Sequence, residues 1–254
     1  MDKQINQIAE KMQRAERILF ITGAGMSAGS GLPVYRGIGG LYNNKDTEDG
    51  IPIEDALSGF SLKNRPELTW KYLMQIEENC RKARFNRGHE IIVEIEKRKA
   101  ATWVLTQNID DYHRKAGSQN MIEIHGSFST VYCTACSYRI ETDSYEGYAC
   151  PPLCPDCSAV LRPNVVLFGE MLPEDKLESL MRELTTGFDM VFSIGTSSVF
   201  PYIVKPVLDC SRQGGTTVEI NPTQTPVSED VTYKLSSNAT DALEAIYARF
   251  IQGE

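Results

Sequence analysis

Seven cysteines are the first residues in this 254-residue sequence whose spacing implies chemistry. Four of them form two pairs, Cys133-x2-Cys136 and Cys154-x2-Cys157, with 17 residues between the pairs. Two residues between thiolates let both reach one tetrahedral ion, and two such pairs complete a four-sulfur shell with no position left for water. The expectation is a structural zinc ribbon holding a loop-rich segment that has little core of its own. A redox C-x-x-C is the rival reading, and two pairs at this distance count against it. Cys150 is a spare thiol beside the ligands, whereas Cys80 and Cys210 read as small core residues. The odd cysteine count fits reduced thiols better than a disulfide framework.

A second set of residues suits a nucleotide. Gly23-Ala24-Gly25-Met26-Ser27-Ala28 fits the G-x-G-x-x-G/A pattern of dinucleotide-binding turns. The first glycine permits the tight turn, the second lets backbone approach a pyrophosphate, and the small last residue lets the next helix pack close with its free N–H groups toward phosphate. Such turns also occur without a nucleotide, and one usual partner is missing. No clear second strand ends in an acidic residue about 20 positions on to hold a ribose; Asp46, Glu48 and Asp49 lie in a polar loop. An ordinary dehydrogenase is therefore not the expectation.

Polar residues recur at the ends of other apolar runs. Gln107-Asn108-Ile109-Asp110 follows one, where an open α/β sheet binds ligands, although Asn and Asp there also serve as helix caps. Glu123-Ile124-His125-Gly126 follows another; His125 is one of three histidines, and a lone His is more often structural. Gly195-Thr196-Ser197-Ser198 offers donors to phosphate or ribose, and Asn221-Pro222 ends a further run. Tyr35-Arg36 reads either as loop packing or as a lid beside a bound nucleotide.

The elements that must position these groups follow from hydrophobic period. Residues 2–17 read as an amphipathic helix and 18–22 as a buried strand. Residues 53–84 look helical, 86–99 start another helix, and 102–106 is a second buried strand. Strands are expected at 164–168, 189–194 and 216–220, with helices at 202–212 and 241–250. Strand and helix alternate on both sides of the insertions, which gives an α/β fold: a Rossmann-like, doubly wound parallel sheet with an inserted small domain. Residues 1–40, 86–128 and 163–254 would form the large domain, and a helical module (41–85) with a zinc ribbon (129–162) the small one.

Composition narrows the partners. Hydrophobic content of 41% and charged content of 24% are ordinary for a globular protein, and a net charge of −8 speaks against nucleic acid or an anionic membrane as partner. The first residues carry no apolar leader and no run approaches 18 apolar residues, so a cytoplasmic protein is expected. A monomer is expected too, without a sequence feature bearing on assembly.

GAGMSAGSGLPVYRG, TQNID, HG, the two C-x2-C pairs, VVLFGE, GTSS and EIN occur in the order found in sirtuins, the NAD-dependent protein-lysine deacylases, and the chain resembles that family from about residue 18 to 245. The resemblance implies NAD as co-substrate and zinc as a structural ion held by Cys133, Cys136, Cys154 and Cys157. It implies that Gly23, Ala24, Gly25, Ser27 and Ala28 line the pyrophosphate, with Arg36 closing over it and Tyr35 over the reaction centre. Gln107, Asn108 and Asp110 would face the nicotinamide ribose and carboxamide pocket, and Asn108 and Asp110 would share the catalytic centre with His125. Gly195, Thr196, Ser197 and Asn221 would hold the adenosine half, with the backbone at Ala239. An acyl-lysine peptide would lie as a strand between Val165, Phe168, Gly169 and Glu170 on one side and Val199 and Phe200 on the other. In the chemistry so implied, nicotinamide leaves C1′ as the acyl oxygen attacks, and His125 is general base on a ribose hydroxyl. Nicotinamide, O-acyl-ADP-ribose and free lysine result.

Departures from the family bear on substrate. Tyr35 stands where Phe is frequent, and Asp111-Tyr112 where Gly-Leu is. The branch that removes succinyl and malonyl groups uses a Tyr-x-x-Arg pair on the acyl carboxylate; counting back from His89 without a gap places Leu73 and Ile76 there. Two apolar residues cannot pair with a carboxylate. Deacetylation is expected, extending to longer neutral acyl chains, with weak desuccinylation and demalonylation. The alternatives are a protein mono-ADP-ribosyltransferase using the same pocket and a non-enzymatic NAD sensor or interaction module; Asn108, Asp110 and His125 together speak against the last.

Overall fold

A computed structural model describes residues 2–33 and 47–253. Helix α1 (Asp2–Arg14) buries Ile5, Ile8, Ala9 and Met12 on one face. β1 (Arg17–Thr22) is buried at all but its first residue, the continuous apolar pattern of a strand covered on both sides. α2 (Ala24–Ser27) is a single short turn that passes into the 3-10 turn Ala28–Ser30, in place of the longer helix that a dinucleotide fingerprint predicts.

The predicted helical run over 53–84 is broken into α3 (Ile53–Ala56), α4 (Gly59–Asn64) and α5 (Pro66–Lys82). The breaks have local causes: the Ser58 hydroxyl caps α4 by accepting from Ser61 N, and Pro66, which cannot continue a preceding helix, opens α5. α6 (Arg87–Arg98) starts at an Asn86 cap reciprocated by His89. β2 (Ala101–Thr106), α7 (Tyr112–Ala116) and β3 (Met121–Glu123) follow.

The chain then leaves the first sheet for β4 (Gly126–Cys133), β5 (Arg139–Glu141) and β6 (Leu161–Val165). β6 corrects the strand expected at 164–168. It begins earlier and pairs antiparallel with β4, from Gly126 opposite Val165 to Cys133 opposite Leu161. Residues 166–168 make separate backbone bonds instead, Val166 N to His125 O and Phe168 N to Leu57 O. The expected domain cuts at 128/129 and 162/163 thus fall inside β4 and β6. The chain returns through α8 (Glu174–Thr186), which the sequence reading misses, then β7 (Met190–Ile194), α9 (Pro201–Arg212), β8 (Thr216–Ile220), β9 (Tyr233–Leu235) and α10 (Ala239–Phe250).

Among the described residues, six strands form one parallel sheet in the order β3-β2-β1-β7-β8-β9, and three form the small sheet β5-β4-β6. Side chains alternate across the large sheet: Ile18, Phe20, Val104 and Phe192 pack under α1, α6 and α10, while Leu19, Ile21, Leu105 and Val191 pack against α8 and α9. A third core joins the helical insertion to the small sheet, with Trp70 at its centre donating Nε1–H to Leu161 O at 2.8 Å. The order reverses between β1 and β7, which places the crevice for a ligand at their carboxyl ends.

Candidate active site

The loops after β1 and β7 meet at that switch point. Gly25 N donates to Gly195 O at 2.8 Å, and a Cβ on Gly25 would stand 2.6 Å from Gly195 Cα. Gly195 itself has φ 58 and faces the Gly25 backbone in return. The second glycine of the fingerprint is therefore required first by loop-on-loop packing, whatever it also allows a phosphate to do. Gln107 Nε2 donates to Thr196 Oγ1 (2.7 Å), Asn221 Nδ2 to Thr196 O (2.8 Å), and Asn108 Nδ2 to Gly23 O (3.0 Å) and Ser27 Oγ (3.2 Å). These bonds fasten the ends of β1, β2, β7 and β8 into one floor.

His125 lies at the joint between the two sheets, one residue before β4. Gly126 has φ 78, and a Cβ there would stand 1.9 Å from Asn164 O, so only glycine lets β4 start beside β6 and leaves His125 at the cleft wall. His125 Nδ1 is 3.0 Å from Gln107 O, and Nε2 is 2.7 Å from the Tyr202 hydroxyl. A carbonyl only accepts, so Nδ1 carries the proton and the bare nitrogen of the neutral ring is Nε2. Burial holds the pKa of His125 below its usual value against the opposing pull of the Gln107 carbonyl, which keeps the ring neutral and basic at pH 7. Burial likewise pushes the Asp110 carboxyl up; its oxygens accept from Ser27 Oγ (2.6 Å) and Tyr112 N (3.0 Å).

A cavity of about 650 Å³ opens over this floor, within the range for a cofactor site. Gly23, Ala24, Gly25, Ala28, Gln107, Asn108, His125, Gly195, Thr196, Ser197, Asn221 and Ala239 line it, as do Leu73, Ile76, Val165, Phe168, Gly169, Glu170 and Phe200. Ser27 and Asp110 do not: both are buried behind the first loop, where they brace it. Val199 is exposed and also outside the lining. Tyr35 and Arg36 lie outside the described residues. Glycine turns and amides on the sheet side, with apolar residues under the small domain, suit a dinucleotide joined to an uncharged chain. Glu170 forms one wall; although burial acts to raise its carboxyl, the bonds from Arg162 and Leu167 N hold it below the usual range.

The four expected zinc ligands come together. Cys133, Cys136, Cys154 and Cys157 have sulfurs within 4.8 Å of one another, the closest 3.4 Å apart. Four thiolates at about 2.3 Å from a tetrahedral zinc stand about 3.8 Å apart, so the donor set and its spacing fit that ion. Cys150 is exposed and points its thiol at Glu67 O, outside the cluster, and all seven cysteines are unbridged.

Two braces of the site escape sequence reading. Asn86 Oδ1 caps α6 by accepting from Gly88 N, while its Nδ2 donates to Met26 O (2.9 Å) and Ser30 Oγ (3.0 Å), tying the first loop to that helix. Buried Glu219 accepts from Thr225 Oγ1 and Ser228 Oγ, and Lys234 donates to Asn221 O and Thr223 O, shaping the loop after β8. The Asn-x-x-His cap pattern hints at the first; nothing local marks the second.

A parallel sheet with its cleft at the switch point, joined to a small sheet that carries a four-cysteine cluster, defines a Rossmann-like class of fold. Comparison with known proteins agrees: residues 23–201 match the family model described as the Sir2 family. The chain is 51% identical over 247 residues to "NAD-dependent protein deacylase 2" of Pseudomonas aeruginosa, covering 95% of each. Among solved structures, a Sir2 homolog–NAD complex superposes with a TM-score of 0.86 at 33% identity, covering 97% of this chain and 94% of that one. A Sir2–p53 peptide–NAD+ complex does so at 0.82 and 27%, covering 95% and 96%. The chain belongs to the Sir2 family.

Proposed function

We propose that this protein is an NAD-dependent protein-lysine deacylase whose products are nicotinamide, O-acyl-ADP-ribose and free lysine. The observation that carries the reading is His125: a neutral imidazole at the wall of the cavity, its Nδ1–H committed to Gln107 O and its basic Nε2 on the cavity side. Bound NAD supplies a ribose carbon from which nicotinamide departs and a neighbouring hydroxyl that must lose a proton. His125 takes that proton at Nε2, the role for which a ring kept neutral by burial is suited.

Around it, Gly23, Ala24, Gly25 and Ala28 receive the pyrophosphate, Gln107 and Asn108 the nicotinamide ribose, and Gly195, Thr196, Ser197, Asn221 and Ala239 the adenosine half. Ser27 and Asp110 act from behind, by bracing Asn108 and the first loop. The acyl-lysine chain enters between the Val165–Glu170 segment and Phe200, where an extended peptide can bond to backbone with little demand on its sequence. Leu73, Ile76, Leu57 and Ile109 take the acyl group; no Lys or Arg lines the cavity among the described residues, which favours acetyl and longer neutral acyl groups over succinyl. Zinc on the four cysteines holds the small domain in place and takes no part in the reaction, since four thiolates close its shell. A monomer acting away from nucleic acid and membrane fits a net charge of −8; no helix of the described residues is long and apolar enough to cross a membrane.

The test is turnover of acetyl-, succinyl- and myristoyl-lysine peptides with NAD, by wild type and His125→Ala. Acetyl or myristoyl turnover that consumes NAD and is lost in the variant is the expected result. NAD-dependent labelling of protein without removal of the acyl group from lysine would replace deacylation by mono-ADP-ribosylation.

A further inference from the structure

The side-chain partner of the base is a residue to which no role has yet been given. Tyr202 sits in the first turn of α9, just after Pro201, and its hydroxyl is 2.7 Å from His125 Nε2. Because Nδ1 already donates to Gln107 O, Nε2 can only accept, and the phenol is the donor. The phenol ring is held in this position by stacking on Phe200, centroids 5.3 Å apart at 11°, while both rings present edges or faces to His125 at about 6 Å. Tyr202 is half-buried, and it lines the same cavity as His125. The nitrogen that must receive a ribose proton is thus already hydrogen-bonded.

We propose that Tyr202 is a positioning residue that latches the base: its hydroxyl holds Nε2 of His125 as an acceptor before the dinucleotide binds, and yields that nitrogen to the ribose hydroxyl. The proposal rests on the reading of His125 as general base. The exchange breaks one O–H···N bond and forms another of the same kind, so no proton moves until the reaction itself. The bond has two opposite consequences. It fixes the tautomer and ring plane that the reaction needs, and it opposes dinucleotide binding, because the ribose hydroxyl must displace the phenol. A donor to the neutral ring also disfavours protonation of His125.

Other groups facing His125 do not supply this effect. From the segment after β2 comes the Gln107 carbonyl, and Asp110 further along is committed to Ser27 and Tyr112 N. From the segment after β6 comes Val166 N, bonded to the His125 carbonyl. The one other titratable side chain lining the cavity among the described residues is Glu170, which is paired with Arg162. Burial pushes the Tyr202 phenol up to about 12, so it remains a donor across the working range.

Tyr202→Phe keeps the ring and its stacking and deletes the donor. The pKa of the His125 ring, followed by 15N NMR in the NAD-free protein, should rise by about 0.5–1 unit, the worth of one ordinary hydrogen bond. The acid limb of kcat/KM for NAD should rise with it, and KM for NAD should fall about 3- to 10-fold, while the acid limb of kcat, which reports the bound enzyme, should stay in place. A His125 pKa that does not move, or a hundredfold loss of kcat at unchanged KM, would overturn the latch; the second result would make the phenol part of the proton path. Absence of deacylation in wild type would sink the reaction assigned above, yet the NMR titration would still decide whether the phenol holds Nε2. If Tyr202→Phe melts early, adding ADP-ribose to wild type decides instead: the latch requires the His125 Nε2 resonance to change its hydrogen-bonded partner, and an unaltered Tyr202 contact refutes it.

Discussion

Ile76→Arg should raise the turnover of succinyl-lysine by a cleft proposed above to favour neutral acyl groups. Leu73 and Ile76 lie three residues apart on α5 and line the cavity beside Leu57, Ile109, Val165 and Leu167; Leu73 is 1% exposed and Ile76 partly so. With no Lys or Arg in the described lining, a succinyl carboxylate entering there loses water without gaining a partner. Full burial of an unpaired carboxylate costs several kcal/mol even after relaxation. The cleft is open at its mouth, so a penalty of about 2 kcal/mol is a fair working figure, or roughly 30-fold in kcat/KM against acetyl. A guanidinium placed about 4 Å from the carboxylate contributes about 4 kcal/mol at an effective dielectric of 20. Desolvation and side-chain ordering remove about half of that, leaving a gain near 2 kcal/mol, again roughly 30-fold.

The assay is the ratio of kcat/KM for succinyl- and acetyl-lysine forms of one peptide, in wild type, Ile76→Arg and Ile76→Gln. Glutamine controls for length and polarity without charge. The ratio should lie well below one in wild type, rise by roughly 30-fold in the arginine variant, and rise by less than about 3-fold in the glutamine variant. Strong succinyl turnover by wild type would refute the neutral-pocket reasoning outright. A folded arginine variant with an unchanged ratio would show that α5 does not reach the acyl group.

Serine at Cys133, Cys136, Cys154 or Cys157 should abolish stoichiometric zinc measured by elemental analysis and lower the melting temperature, whereas Cys150→Ser should retain one zinc per chain, because Cys150 bonds to Glu67 O outside the cluster. Activity should persist below the usual histidine pKa: burial depresses that of His125, the neutral ring is the active form, and so kcat/KM should fall only as pH drops through the lowered value. An acid limb above about 6.5 in the pH profile would contradict this. Asn86→Ala removes the α6 cap and two bonds to the first loop. It should cost about 1–2 kcal/mol, a drop of roughly 2–8 °C in calorimetric Tm, and raise KM for NAD while leaving zinc content intact.

What could be read from the sequence, and what could not, follows from the range over which each residue's meaning is set. β1, β2 and β7 are plain because strands covered on both faces must be largely apolar, and RILFIT or MVFSI admits few other readings. β6 is displaced from its expected position because Leu161–Val165 is short, contains Pro163 and alternates in burial. The cysteine cluster is equally plain, since two-residue spacing is itself the constraint that the ion imposes. The glycine fingerprint is a harder case: the pattern points to the cleft, yet Gly25 is held by Gly195, 170 positions away, a contact that no local rule contains. Gly126 is required by Asn164 O for the same kind of reason. Tyr202 is the extreme instance. A tyrosine after a proline at a helix start is ordinary, and it acquires a role only when the fold brings it to His125 across 77 positions. Spacing therefore reveals the groups that a ligand or metal needs, while the residues that hold those groups ready are chosen by the backbone crossings, and these emerge only once the two sheets are joined at His125.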